Sequence, residues 1–152
     1  MKKQGKGKMF ADKNDRTELD RLLEDWTAGA PEIKNAFTGF LDHLETLDNT
    51  ILSFVGRPGV TYSLRATVKD PAVKDKPMFV MVDIIDDDPA DRWLSVCFFN
   101  EMIQDPDELG DFVPGGLLGA DAHCFDYDRA DDDLEKYITL RIDEAHAAMS
   151  GV

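Results

Sequence analysis

Apolar residues recur at helical spacing in three segments of the chain, two near its start and one at its end. The first segment follows Asp15 and Glu18, which match a capping box, and its apolar positions are Leu19, Leu22, Leu23 and Trp26. The second begins at Pro31, which suits a first helical turn, and its apolar face carries Ile33, Phe37, Phe40, Leu41, Leu44 and Leu47. The third carries Leu134, Tyr137, Ile138, Arg141, Ile142, Ala145 and Met149. These spacings predict two N-terminal helices and one C-terminal helix.

Between the helical segments the pattern changes to alternation and to short apolar runs. Residues 61–68 alternate between apolar and polar side chains, whereas 78–85 and 93–99 are apolar at nearly every position. A shorter run at 122–128 follows the long segment 100–121, which is rich in Gly, Pro and Asp and is predicted to be irregular. Consecutive strands with short connections predict an antiparallel meander.

The order of these segments predicts the fold class. Helices that are segregated from a meander sheet favour an α+β two-layer sandwich of about four strands over a doubly wound fold. The length of 152 residues fits a single domain, which we assign to 14–150. Residues 1–13 contain Gly and Lys without an apolar period, and this predicts a disordered basic tail.

The net charge of −14 is the strongest feature of the composition, with 17 Lys and Arg against 31 Asp and Glu. Five of the lysines lie in the predicted tail, so the predicted domain is more negative still. A domain with this field repels phosphate backbones, which predicts no nucleic-acid partner. The sequence contains no run of eighteen apolar residues and no apolar leader. We therefore expect no membrane association and a cytoplasmic location.

The two cysteines, Cys97 and Cys124, lie within apolar segments and not at loop tips. In a cytosolic chain of this size, two such thiols are more often packed in the core than joined to each other. We therefore expect both to be reduced and slow to react with thiol reagents.

Few motifs point to a cofactor or a metal ion. The glycine-rich segment 114–119 lacks the Lys-Ser/Thr of a phosphate-binding loop and is predicted to be a tight turn, so no cofactor is expected. Asp121, His123, Asp126 and Asp128 are weak candidates for a metal site. Strand alternation separates His123 from Asp126 and Asp128, however, and a metal ion needs converging ligands. A solvated acidic strand end is the favoured interpretation.

Asp83 is the one charged residue in the apolar run 78–85, where an ionised carboxylate is costly unless it is paired or hydrated. Alternation places it on the sheet face opposite to Val80, Val82 and Leu94. The predicted members of this mixed face that are candidates for binding are Arg65, Met81, Asp83, Trp93 and Cys97, and Phe79 is assigned to the same side.

Large apolar side chains together with an Arg and an Asp are typical of a covered face or a binding surface. Two explanations of the mixed face stay open at this point. It either binds a partner or ligand, or it is covered by the chain's own helices or long loop, with Asp83 paired to Arg65 or Arg92.

The segment from Met78 to Ala148 is also similar in layout to two known families. Its order is strand, strand, a loop with Pro114-Gly115, strand and a closing helix that contains Ile142-Asp-Glu-Ala-His146. This order resembles the small bacterial MmcQ/YjbR-like and YdhG-like families, whose functions are mostly unassigned. The resemblance implies a compact α+β fold and transfers no functional residue. The DNA-binding role proposed for the first family does not suit the negative charge of this chain.

These observations lead to two functional hypotheses. The first is a non-enzymatic binding or protein-interaction module, which uses the mixed face or the 105–121 loop to hold a protein partner or a second copy of itself as a homodimer. The alternative is a small-molecule-binding protein or small enzyme that uses Arg65 and Asp83. A flat apolar surface would favour the first, and a pocket with converging polar groups would favour the second.

Overall fold

The fold is described from a computed structural model that places residues 9–151. Within these residues the chain forms three helices, α1 (Lys13–Asp25), α2 (Pro31–Thr46) and α3 (Asp132–Ser150). It also forms six strands, β1 (Thr50–Arg57), β2 (Thr61–Val68), β3 (Val80–Ile85), β4 (Trp93–Phe99), β5 (Asp111–Leu117) and β6 (Ala120–Tyr127). A short 3-10 helix, Asn100–Met102, follows β4.

The three helices begin where the sequence offers a suitable first turn. The side chain of Asp12 caps α1 by accepting a hydrogen bond from the Asn14 amide at 2.9 Å. The prediction that Asp15 caps this helix is wrong, because its carboxylate instead accepts a bond from the Phe54 amide of β1 at 3.1 Å. Helix α2 begins at Pro31 as predicted, and Asp131 caps α3.

All strand pairs in the sheet are antiparallel, and the strand order is β1-β2-β3-β4-β6-β5. The α+β class with helices at both ends is therefore confirmed, but the sheet has six strands and not about four. The two additional strands, β1 and β5, form its edges.

The helices pack against one face of the sheet and form the core with it. Ring contacts illustrate the packing: Phe40 of α2 meets Tyr127 edge-on, and Tyr137 of α3 meets Phe125. Buried positions of β1 to β4 on this face include Leu52, Phe54, Leu64, Ala66, Val80, Val82, Ile84, Leu94, Val96 and Phe98. We call the other face the open face; it carries Ser53, Val55, Ser63, Arg65, Met81, Asp83, Ile85, Trp93, Ser95, Cys97, Cys124 and Asp126.

Part of the predicted basic tail belongs to the fold. Residues 1–8 lie outside the described residues, and the prediction of disorder for them stays a prediction. Met9 and Phe10 are buried, and Phe10 forms a parallel bridge with Leu52 of the edge strand. The boundary at residue 13 is therefore wrong, because two apolar side chains anchor the segment before α1.

A buried ion pair fixes the end of the sheet where the β1–β2 and β3–β4 turns meet. Asp86 accepts a bond from Nε of Arg92 at 2.7 Å and another from the Gly59 amide at 2.7 Å. The Arg92 guanidinium also lies over the rings of Trp26 and Tyr62. The pairing of Arg92 with Asp86 leaves Asp83 without this predicted partner.

Candidate functional site: a cleft on the open face

Two adjacent rows of side chains cross the open face. In the first row the strand register aligns Val55, Ser63, Asp83, Ser95 and Asp126. In the second it aligns Ser53, Arg65, Met81, Cys97 and Cys124. Each row runs perpendicular to the strands, so polar and apolar groups from five strands lie side by side.

The register places all five predicted binding residues on the open face. Arg65, Met81 and Cys97 are neighbours in the second row, and Asp83 lies in the first. Trp93 pairs with Ile85 at the β3–β4 end, two residues along the strand from the first row. Phe79, in contrast, packs against His146 of α3, because it precedes the first residue of β3 and does not follow the strand alternation.

The end of the β5–β6 hairpin reaches the open face and closes one side of a cleft of about 310 Å³. This open-face cleft is lined by Val55, Arg57, Val60, Thr61, Ser63, Arg65, Met81, Asp83, Gly116, Leu117 and Leu118. None of these residues comes from a helix. One explanation left open by the sequence was that the long segment 100–121 covers this face, and it holds for the part of the face next to the hairpin end.

The conformation of the hairpin end explains how it approaches the sheet. The β5–β6 pairing shifts between Val113 and Leu117, and such an irregularity bends a strand. Gly116 fits there because a Cβ atom would overlap the side chain of Val113. Leu118 and Gly119 both have positive φ angles, 53° and 85°, as a two-residue hairpin turn requires. Leu118 is thus held at a costly backbone angle at the mouth of the cleft, with 65% of its surface exposed.

Asp83 lies on the floor of the cleft in an environment that disfavours its charge. Its Oδ1 atom is buried and has no hydrogen-bond partner within the described part of the chain. Burial raises the pKa of the carboxyl group, although the Ser63 hydroxyl and the charges of Arg65 and Arg57 act in the opposite direction. A buried acceptor without a donor is uncommon in folded proteins, and the residue that carries this one lines the cleft.

The two arginines of the cleft act on the Asp83 carboxylate through space but are not in salt-bridge contact with it. Nε of Arg65 donates a bond to the Ser63 hydroxyl oxygen at 3.1 Å, and Arg57 is exposed at the end of β1. Among residues 9–151, neither guanidinium forms a salt bridge, in contrast to Arg92 with Asp86. Asp83 and Arg65 therefore do not form the predicted direct ion pair. Ser63 interacts with both of them, and the charge of Arg65 acts on Asp83 through space.

The raised pKa of Asp83 leads to a prediction about stability. Because the folded state binds this proton more tightly than the unfolded state, the stability gained from the protonated form is lost as the pH rises through the folded pKa. We expect Asp83→Asn, which removes the charge, to be more stable than the wild type in urea unfolding at pH 7. The difference should shrink at pH 4. Asp91→Asn, in an exposed turn, is the control, and a less stable Asp83→Asn at pH 7 would contradict the prediction.

The cysteines next to the cleft form a disulfide. Cys97 and Cys124 lie directly opposite each other on β4 and β6, with their Cα atoms 4.2 Å apart, and a bond joins their sulfur atoms. The prediction of two reduced thiols is therefore wrong. The prediction failed because the pairing of β4 with β6 brings together two residues that are 27 positions apart in the sequence.

The weak metal candidates are not brought together. His123 bonds to Asp105 on the helix-covered side, and Asp121 accepts a bond from the Gly115 amide. Asp126 lies on the open face, where burial and the nearby charges of Asp111 and Asp128 raise its pKa. Within the described residues, no three His, Cys, Asp or Glu side chains are arranged to hold a metal ion.

A second cavity, of about 460 Å³, lies between α1 and the β1–β2 hairpin. Its charged lining comprises Glu18, Asp25, Arg21 and Arg92. Arg92 already pairs with Asp86, and the lining has two acids and two bases. Unlike the open-face cleft, this cavity therefore has, among the described residues, neither an excess of one charge nor a buried polar side-chain atom that lacks a hydrogen bond. The open-face cleft is the stronger candidate.

Sequence reasoning missed half of the cleft. Arg57 lies at the end of a strand that was not predicted, and Leu117 and Leu118 belong to a segment predicted to be irregular. The Gly-rich run 114–119 was the available signal, because Leu118-Gly119 between two apolar segments is compatible with a hairpin turn.

Comparisons of the chain with protein-family models, with curated proteins and with solved structures found no match. The similarity to the MmcQ/YjbR-like and YdhG-like families therefore stays a prediction. Between residues 9 and 151, no helix combines the length and the apolar character needed to cross a membrane. The cytoplasmic location also stays a prediction.

Proposed function

We propose that this chain is a binding protein and that the open-face cleft holds a small molecule. The observation that carries the proposal concerns Asp83, which lines the cleft and whose buried Oδ1 atom has no hydrogen-bond partner within residues 9–151. An unmet buried acceptor costs about 1–3 kcal/mol, and a ligand that donates a hydrogen bond would recover this free energy.

The shape and the lining of the cleft support the same function. Its volume is at the lower end of the range of small-molecule sites, which is roughly 300–1,000 Å³. Apolar side chains and a few polar groups line it, and the polar groups come from three adjacent strands. Of the two hypotheses drawn from the sequence, this arrangement favours the small-molecule-binding alternative.

The proposal is tested by titrating the protein with a chemically diverse set of small molecules and following backbone amide shifts by NMR. We expect at least one compound to shift the amides of Asp83, Gly116 and Leu118. Met81→Trp, which fills the floor of the cleft, should abolish these shifts, whereas the control Leu140→Trp, exposed on α3, should preserve them. No shift at the cleft with any compound would contradict the proposal.

A protein-interaction module remains the second candidate, because apolar side chains surround the cleft. Val60 and Leu118 are 58% and 65% exposed, and Trp93 and Ile85 are half-buried beside them. Sedimentation of the wild type and of Met81→Glu separates the candidates, since a charge in the centre of an interface is costly. A wild-type dimer that Met81→Glu converts to a folded monomer would favour the second candidate, and a wild-type monomer would favour the first.

A further inference from the structure

Resting on the proposed function, we infer that the ligand of the open-face cleft is a small zwitterion with an aliphatic side chain, of the α-amino acid type. Its carboxylate would face Arg57 and Arg65, its ammonium group would face Asp83, and its side chain would contact the apolar part of the lining. Each of these three parts follows from a separate feature of the cleft.

The carboxylate is indicated by the two arginines. Both guanidinium groups lack a salt bridge within the described residues, and only Nε of Arg65 is engaged, by Ser63. A guanidinium presents paired N–H groups that match the two oxygens of a carboxylate. The lining of the cleft has two guanidinium groups against one carboxylate, that of Asp83, and this positive balance is a local exception in a chain of net charge −14.

The ammonium group is indicated by Asp83. Among residues 9–151 no group donates a hydrogen bond to its Oδ1 atom, and an adjacent positive charge that also donates a hydrogen bond would satisfy it. Asp83 and Arg65 are diagonal neighbours across β2 and β3, since Arg65 pairs with Met81 and Ser63 with Asp83. Diagonal positions are about 7–8 Å apart, so one compact ligand can reach both groups.

The rest of the lining indicates the aliphatic side chain. The negative electrostatic field of the protein indicates that the ligand carries no net charge. Val55, Val60, Met81, Leu117 and Leu118 supply an apolar wall to a cleft of about 310 Å³. A strongly negative protein repels small anions, whereas a zwitterion of zero net charge is not repelled. A zwitterion therefore uses the arginines without this electrostatic penalty.

Calorimetric titration with three related probes tests the inference. L-leucine carries both charges, 4-methylpentanoate lacks the ammonium group, and 3-methylbutylamine lacks the carboxylate. We expect leucine to bind at least about tenfold more tightly than either analogue, because each charge-assisted hydrogen bond contributes that much or more. Equal affinity of leucine and 4-methylpentanoate, or tighter binding of either analogue, would overturn the inference.

Variants assign each charge to its partner. Asp83→Asn should reduce the advantage of leucine over 4-methylpentanoate to less than about threefold, and Arg57→Gln should reduce its advantage over 3-methylbutylamine. The controls Asp91→Asn and Arg129→Gln change the same charges at exposed positions away from the cleft and should leave both ratios unchanged. Ratios in Asp83→Asn and Arg57→Gln that equal the wild-type values would overturn the inference.

The failure of this inference is distinguishable from the failure of the proposed function. If none of the three probes binds, while other compounds shift the cleft amides in the NMR titration, the zwitterion is excluded and the binding function stands. If no compound shifts those amides, both proposals are contradicted.

Discussion

Reduction of the Cys97–Cys124 disulfide is expected to lower the free energy of unfolding by about 3.5 kcal/mol. The bond closes a loop between two residues that are 27 positions apart, and the magnitude follows from the chain entropy that such a loop removes from the unfolded state. The loop contains the 3-10 helix and strand β5. The disulfide also joins β4 directly to β6, and the hairpin that β6 forms with β5 closes one side of the cleft.

Urea unfolding with and without dithiothreitol measures this effect. The double variant Cys97→Ala/Cys124→Ala is the control; it should unfold at a lower urea concentration than the oxidised wild type and show no response to the reductant. Two outcomes would contradict the prediction: equal unfolding midpoints for oxidised and reduced wild type, or two alkylated cysteines when the native protein is treated with iodoacetamide without reduction.

The parts of the fold that the sequence predicts are those with a local signal. Helices α2 and α3 carry an apolar helical period, β2 alternates, and β3 and β4 are short apolar runs. The structure places all five close to the predicted bounds. Strand β5 has the sequence DFVPGGL, in which Pro and Gly weaken any strand signal, and its conformation depends on pairing with β6. Strand β5 is therefore fixed by pairing and not by local preference.

The candidate site divides in the same way. Strand alternation places Arg65, Met81 and Asp83 on one face once the other side of each strand is assigned to the helices, because neighbouring side chains in a strand point to opposite sides. Whether that face is bare, covered or concave depends on the bend of a hairpin from the far edge of the sheet. The cleft itself was thus not predictable from the pattern that identified its floor.

A carboxylate that the sequence did not single out, that of Asp105, makes several of the contacts that hold the loop between β4 and β5. Asp105 is nearly buried, with 7% of its side chain exposed. It accepts hydrogen bonds from the Tyr137 hydroxyl, His123 Nε2 and the amides of Leu109 and Gly110. Burial by itself would raise the pKa of Asp105, but these four hydrogen bonds together hold it well below its ordinary value. The cluster joins the loop to both β6 and α3.

We expect Asp105→Asn to lower the free energy of unfolding by about 3 kcal/mol at pH 7, because the amide cannot accept four bonds and the buried donors lose their partner. Since the folded pKa is depressed, the stability from this carboxylate is complete above the ordinary pKa of Asp and is lost as the pH falls towards the folded value. The difference between the wild type and Asp105→Asn in urea unfolding should therefore be smaller at pH 3 than at pH 7.

The exposed Asp107 in the same loop provides the matched control, and Asp107→Asn should change stability little at either pH. A second variant, Tyr137→Phe, removes one of the four donors and should cost about 1–2 kcal/mol, less than the loss of the carboxylate. If Asp105→Asn were as stable as Asp107→Asn, the loop would be held by its other contacts. A gap between wild type and Asp105→Asn that widened at pH 3 would show that the carboxylate is stabilised in its protonated form, contrary to the hydrogen bonds it accepts.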